Sequence, residues 1–306
     1  MTASRTMGAV VIHAPGGPEV LEYERVARPE PQAGEVLVRV RAVGLNPPDW
    51  YLREGMTILP PEMRPPLPWP LIPGSDVSGV VEAVAPEVHD FAPGDEVFGL
   101  LRFPDALANA YAELVTAPAS DLTHKPAGVD HVQAAAAPMA ALTAWQFLIE
   151  RGHHVVPPFQ ATLHQPVALQ PGTRVLVNGA AGGVGHLAVQ LARWKGAHVV
   201  AVASGRHAEF LRGIGADEVV DYTRTPPETL GQDFDLVLDS VGGPTTGRFL
   251  TLVKRGGALF PVFFGPVDAA AAAAADVYVS STQVRADGAQ LAEIGALLDA
   301  GVLRVA

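Results

Sequence analysis

Cysteine is absent from all 306 residues, which removes disulfides, thiolate nucleophiles and any metal site built on Cys. Basic clusters are missing as well. Lys and Arg number 21 against 32 Asp and Glu, for a formal net charge of −11; without grouped cations to neutralise phosphates, a nucleic-acid partner is not expected. Residues 1–13 contain no apolar leader core. The longest apolar stretch, 132–149, is broken by Pro138 and carries Gln133, Thr143 and Gln146, so it reads as a buried helix with a proline-marked boundary and not as a membrane span. No internal repeat is found. These absences predict a soluble, cytoplasmic protein with no membrane partner and no metal.

Present in quantity are Gly (31) and Pro (28), within a chain that is 48% hydrophobic and 17% charged. That is the balance of a globular enzyme rich in tight turns, and the length exceeds the usual ceiling for one core, so two domains are expected. From residue 7 to about 116 the pattern is short apolar runs such as 36–43 (VLVRVRAV), 79–84 and 96–99, which read as strands of an antiparallel or barrel-like domain. Seven prolines in 56–73 exclude helix or central strand there and predict a loop. After residue 127 the period changes. A helical segment, 133–150, precedes apolar runs at 175–177, 199–202, 219–220, 236–238 and 258–264 separated by helix-length stretches, the pattern of βαβ units on a parallel sheet. The fold class is therefore α/β, with a β-rich domain over 1–127, a parallel-sheet domain over 128–266 and a C-terminal segment over 267–306.

Two stretches read as structural. Residues 269–275 are seven alanines, which favour helix by propensity alone. His153, His154 and His164 fall in an insertion over 152–170 that feeds the amino end of the first parallel strand. Ligands bind at the opposite, carboxyl end of such strands, so a surface or subunit-contact loop is expected here.

The chemistry is concentrated in NGAAGGVG at 178–185. A pyrophosphate needs backbone N–H groups at a helix N-terminus without side chains in the way. Ala180 takes the first position of the dinucleotide fingerprint, Gly182 admits the pyrophosphate and Gly185 lets the helix pack on the strand, with Ala181, Gly183 and Val184 completing the turn. Val184, Leu187, Ala188, Leu191 and Ala192 then form one apolar stripe, and Gly196 stands where a C-terminal cap belongs. An NAD site places an acid about 20 residues on. Here the second strand ends in Ala203-Ser204-Gly205-Arg206-His207, so Ser204 and Arg206 are candidates to hold a 2′-phosphate and the expected cofactor is NADP(H).

Together, GEVLVRVRAVGLNPPDWYLREG, PLIPGSDVSGVVEAV, FAPGDEVFG, LTAWQ, NGAAGGVGHLAVQLARWKGA, GADEVVDY and DSVGG resemble the medium-chain dehydrogenase/reductase superfamily, in its zinc-independent, zeta-crystallin-like quinone oxidoreductase branch. The resemblance implies a GroES-like catalytic domain over 1–127, a Rossmann domain over 128–266, an active-site cleft between them and a homodimer formed through the Rossmann sheet edge. It also implies that Thr143 lies near the nicotinamide ribose, Val241 and Gly242 under the nicotinamide, and Tyr222 at the adenosine 2′-phosphate. Members of the family continue past a segment like GVLRV with a strand and helix that return to the catalytic domain. On that pattern residues 267–306 hold the Rossmann edge strand and only the start of the return; either the chain is cut short there, in which case a destabilised catalytic domain is expected, or the sequence is part of a longer product, or the family pattern fails here.

Zinc-dependent relatives carry Cys and His in the segments where this chain has Asn46 and Ser75, and a four-Cys lobe that is missing here. Alcohol oxidation profits from a Lewis acid at the alkoxide, whereas hydride addition to an enone or quinone makes a delocalised anion that hydrogen-bond donors stabilise. Asn46 and Tyr51 are candidates for those donors, with Tyr51 or water supplying the proton and Asp49 structural. The expected activity is NADPH-dependent reduction of a small-molecule quinone or α,β-unsaturated carbonyl. The alternatives are an enone reductase that tailors a biosynthetic intermediate, its pocket shaped in part by the loop over 56–73, and a crystallin-like NADPH-binding protein without turnover. Met56 and Thr57 after REG depart from the enoyl-thioester reductase pattern, and no Tyr has Lys four residues on, which excludes a short-chain dehydrogenase.

Overall fold

The computed structural model describes residues 6–152, 154, 160, 162–263 and 265–306. They form two units: those up to 142 with 285–299 and 305, and those from 143 to 284 with 300–304 and 306.

In the first unit β1 (Thr6–Val11) and β2 (Glu22–Ala27) pair as an antiparallel ribbon. A five-stranded antiparallel sheet follows from β3 (Glu35–Gly44), β4 (Asp76–Val84), β5 (Glu96–Leu100), β6 (Leu114–Pro118) and β7 (Leu122–His124), in the order β6-β3-β4-β5-β7. Alternation along β3 decides its faces. Val36 and Val38 enter the main core with Val77, Val81, Val97 and Leu101, while Leu37 turns the other way onto Met7 and Leu114. Between β3 and β4 lie the short helix α1 (Pro47–Arg53) and the proline-rich loop, where one 3-10 turn (Pro61–Met63) is the only regular element. The loop expectation for 56–73 holds because successive prolines withhold backbone donors.

The single helix expected over 133–150 is instead two, α2 (His131–Ala136) and α3 (Pro138–Leu148). Pro138 supplies no N–H to the preceding turn and starts the second helix, where a missing donor costs nothing.

The second unit is built on a six-stranded, wholly parallel sheet of β8 (Arg174–Asn178), β9 (His198–Ala203), β10 (Glu218–Asp221), β11 (Phe234–Asp239), β12 (Val253–Pro261) and β13 (Tyr278–Val279). Its order is β10-β9-β8-β11-β12-β13, the doubly wound Rossmann arrangement. β12 ends at Pro261, short of the run expected to reach 264, and Phe264 lies outside the described residues. Valine and leucine runs suit strands covered on both faces; Leu176, Val200, Val237 and Leu259 sit in one core with Phe234 and Phe249.

Helix α4 (Gly183–Trp194) follows β8, and Gly196 at φ +85° turns the chain into β9. The expected single stripe on α4 is too narrow a description. Residues 185–192 are buried all round, His186 and Gln190 included, and Val184 is only partly covered. The second face is covered because Gln190 Nε2 donates to Arg304 O (3.0 Å) while its Oε1 accepts from Arg304 N (2.8 Å), pairing a side-chain amide with the peptide of the C-terminal segment.

Helix α5 (Ala208–Gly213) lies between β9 and β10. The alanine run is α6 (Ala269–Ala275), capped by Asp268, whose Oδ1 accepts from Ala270 N and Ala271 N. Helix α7 (Gly288–Asp299) belongs to the first unit, where the Asp299 carboxylate accepts from Gly128 N at 2.8 Å.

The histidine insertion is corrected in part. His154 is exposed and His153 lies outside the described residues, but His164 is 1% exposed. Its Nε2 is 3.0 Å from Phe147 O and its Nδ1 3.1 Å from Ser280 Oγ, with Phe147 and Phe260 against the ring. Burial pulls its pKa down to about 4, so it is a neutral core histidine. Insertion composition alone does not show that one of its residues is folded back under the sheet.

Candidate functional site

The strand order reverses between β8 and β11, and open parallel sheets bind ligands at the carboxyl ends of the strands beside such a switch. The two strand ends there are Asn178 and Asp239, paired in register, and Asn178 Nδ2 donates to Asp239 Oδ1 at 2.8 Å. The loop from 179 to 182 leaves β8 at this point and enters α4 with Gly182 as N-cap. Ala180 is buried, Ala181 and Val184 are half-buried, and Gly182 and Gly183 are exposed, which leaves the backbone N–H groups of the helix start free of covering side chains. At Gly185 a Cβ would stand 2.2 Å from Gly179 O and 2.8 Å from Ala180 Cα, so helix and loop meet backbone to backbone. The cradle fits a dinucleotide pyrophosphate.

His186, which the sequence motifs do not single out, supports this loop from beneath. Its Nδ1 is 2.9 Å from Gly182 O, and burial lowers its pKa, so the ring is neutral and Nδ1–H donates to the carbonyl; Nε2 is buried and makes no hydrogen bond. A histidine inside an apolar helical run is the signal that marks it.

Asp239 is a second residue that the motifs do not announce. It is 1% exposed. Besides Asn178, its Oδ1 accepts from Val241 N (3.1 Å) and Gly242 N (3.0 Å), and its Oδ2 accepts from Thr246 Oγ1 (2.8 Å). One carboxylate therefore shapes the loop at Val241 and Gly242, where Val241 is 59% exposed. Acid at a strand end followed by SVGG is its trace in the sequence.

Ser204, Arg206 and Tyr222 do come together, around a cavity of ≈ 410 Å³ past the ends of β9 and β10 that Gly205, Asp221, Thr223 and Arg224 complete. Arg224 brings a second guanidinium, and Tyr222 is half exposed. The second strand carries no acid at its end, yet Asp221, at the end of the third, faces the same cavity. Its Oδ1 accepts from Thr223 Oγ1 (2.7 Å) and Thr223 N (3.0 Å), its Oδ2 lies 3.6 Å from Arg224 Nε, and the Thr223 bonds hold its pKa below the usual range. It is engaged within its own turn and with the Gly205 backbone.

Thr143 is buried within α3. In the first unit Asn46 is the N-cap of α1, forming a capping box with Asp49, whose Oδ2 accepts from Asn46 N at 2.8 Å. Asn46 Nδ2 donates to Asp76 Oδ2 at 3.0 Å. Tyr51 lies in the same helix, half-buried, with its ring against Trp50 and its pKa raised by burial. Asp49 is 7% exposed, accepts from Tyr111 OH at 3.1 Å, and has a pKa raised chiefly by burial, a structural setting.

The chain matches the alcohol dehydrogenase GroES-like domain over residues 32–127 and the zinc-binding dehydrogenase domain over 183–287. It is 34% identical to the chloroplastic quinone-oxidoreductase homolog of Spinacia oleracea over 275 residues, which cover 85% of this chain and 77% of that protein. It belongs to the medium-chain dehydrogenase/reductase superfamily, in the quinone-oxidoreductase-like branch. A second relative, the mitochondrial NAD(P)H oxidoreductase RTN4IP1 of Danio rerio, is 36% identical over 244 residues, covering 76% of this chain and 60% of that one. The quinone oxidoreductase of Coxiella burnetii superposes with a TM-score of 0.81 at 30% identity, over 98% of this chain and 89% of the other. The branch makes the protein an oxidoreductase that uses a nicotinamide cofactor. No helix among the described residues is long and apolar enough to cross a membrane.

Part of this superfamily binds zinc, and the donors here do not suit it. The chain has no Cys, the segment positions hold Asn46 and Ser75, and zinc favours thiolate, imidazole and carboxylate ligands. Among the described residues the one group with ligand atoms gathered as for a metal is His13, Glu22 and Glu24 on the β1–β2 ribbon, where His13 Nε2 is 2.5 Å from Glu24 Oε1.

Proposed function

We propose that this protein is a zinc-independent, NADPH-dependent reductase of quinones or α,β-unsaturated carbonyls. The observation that carries the reading is the cavity holding Ser204, Arg206, Tyr222 and Arg224 past the ends of β9 and β10. Two guanidiniums and a hydroxyl suit a dianionic 2′-phosphate, and the acid in that cavity is already bonded to Thr223. NADPH supplies a hydride when bound. The loop at 179–185 holds the pyrophosphate, Thr143, Val241 and Gly242 line the nicotinamide end, Asn46 orients the substrate carbonyl, and Tyr51 supplies the proton. The Tyr51 hydroxyl is protonated at neutral pH, and burial, which raises its pKa, makes it a weaker acid than a free tyrosine.

Steady-state assays with a panel of quinones and enones test the reading. NADPH is expected to be preferred over NADH, and Arg206→Ala with Arg224→Ala should raise KM for NADPH by roughly 10- to 150-fold per residue while leaving NADH kinetics in place, the worth of one hydrogen bond to a charged group. Preference for NADH would refute it. NADPH binding without oxidation by any acceptor would favour a binding protein instead. Tyr51→Phe should lower kcat by about 10²-fold with little change in KM for NADPH, the size of a general-acid contribution; an unchanged rate on every accepted substrate would remove Tyr51 from the chemistry.

A further inference from the structure

Asp76 opens β4 completely buried. Burying a carboxyl costs several kcal/mol unless it is well bonded, so its partners matter. Both oxygens accept from Met139 N (3.0 and 3.1 Å), in the first turn of α3, and Oδ2 also accepts from Asn46 Nδ2. Space is kept for it. A Cβ on Gly44 would stand 2.9 Å from Asp76 Oδ2 and 2.4 Å from Ala135 O. Asn46 is thus held at two points, its backbone N–H on Asp49 Oδ2 and one Nδ2 hydrogen on Asp76. One Nδ2 hydrogen remains.

We propose that Asp76 is a positioning residue that fixes the Asn46 amide, so that the remaining Nδ2 hydrogen is the donor to the substrate carbonyl. This rests on the reading that Asn46 orients that carbonyl. The same carboxyl ties Asn46 to the first turn of α3.

Asn46 and the Met139 N–H donate to Asp76, and Asp49 on α1 repels it; the Tyr111 hydroxyl is bonded to Asp49 and has its own pKa raised by burial, Asp49 and Asp76. From α2, His131 engages Ser78 and Glu96. Burial, then Asp49, pushes the Asp76 carboxyl up to about 8 against the pull of its two donors. Both partners being donors, the ionised form is the one that holds Asn46 as described. Below that pKa a neutral acid sets an O–H among donors, and the hold is weakened.

The decisive experiment is Asp76→Asn, of equal volume, read by kinetics and by NMR. In the wild type, kcat for quinone reduction should rise with pH through an inflection near 8. In the variant the inflection should vanish and kcat fall about 10- to 100-fold, the cost of a misplaced orienting group, with KM for NADPH within about twofold. Independently of turnover, the Asn46 side-chain amide resonances of the wild type should titrate with the midpoint of the Asp76 carboxyl carbon. A wild type that reduces no quinone or enone ends the reductase reading but leaves this titration as the test of positioning. Wild-type kcat and pH profile in Asp76→Asn, or Asn46 amide signals that stay put through the Asp76 titration, would overturn the proposal. If the variant does not fold, the wild-type titration decides alone.

Discussion

Gly185→Ala is expected to lose cofactor binding by more than 100-fold and to lower the melting temperature. The methyl would stand 2.2 Å from Gly179 O and 2.8 Å from both Ala180 Cα and Gly179 C. These are backbone atoms, so no side chain can rotate away and either α4 or the loop must shift. Overpacking in a fixed core costs about 1–3 kcal/mol, and here the displaced backbone is the turn proposed to present its N–H groups to the pyrophosphate. Ala180, whose Cα is one of those atoms, is fully buried and cannot yield outward. Fluorescence titration with NADPH, alongside thermal unfolding, checks this. Wild-type affinity in a folded Gly185→Ala protein would show that the loop is not the cofactor cradle.

Asp239→Ala is expected to cost about 2–4 kcal/mol, since buried neutral donors left without an acceptor cost about 1–3 kcal/mol each before relaxation. Four donors would lose their acceptor: Asn178 Nδ2, Val241 N, Gly242 N and Thr246 Oγ1. All converge on a residue 1% exposed, so water cannot replace the carboxylate without opening the switch point. Asp239→Asn should cost less, since the amide oxygen keeps some of the bonds while its NH₂ faces donors. Both should raise KM for the nicotinamide cofactor by releasing the loop at Val241. Urea denaturation gives the stability change. A loss under about 1 kcal/mol for the alanine variant, the ordinary worth of a surface substitution or weaker, would mean that the loop is held by other contacts.

Much of the α/β plan is legible in the order of residues. Apolar runs at 175–177, 199–202, 219–220 and 236–238 are the parallel strands β8 to β11 with small changes at their ends, because strands covered on both faces need unbroken Val, Leu and Ala. The glycine loop is equally plain, since its chemistry is local: a strand, a turn without side chains and a helix start. Ser204 and Arg206 follow one strand and Tyr222 another, and the three meet at one cavity, which follows once β9 and β10 are neighbours.

Other features depend on what lies across space. His164 reads as one more polar residue in a proline-containing insertion, and only the chain's path under Phe147 and Phe260 makes it core. His186 and Gln190 lie off the apolar stripe of α4, which implies a wet face; the C-terminal segment pairs with Gln190 on that face. Arg224 is separated from Arg206 by a helix and a strand, and the two line one cavity because parallel strands end at the same edge. Asp76 and Asp239 show the contrast best. By itself, the sequence determined that this is a two-part α/β protein with a glycine-rich strand–turn–helix loop from Asn178 to Gly185, because propensity, period and glycine spacing act over neighbouring residues. The tertiary structure alone decided which acids are buried and what they hold, because a carboxylate's role is set by the donors that folding brings to it from residues as distant as 46 and 139 for Asp76, or 178 and 246 for Asp239.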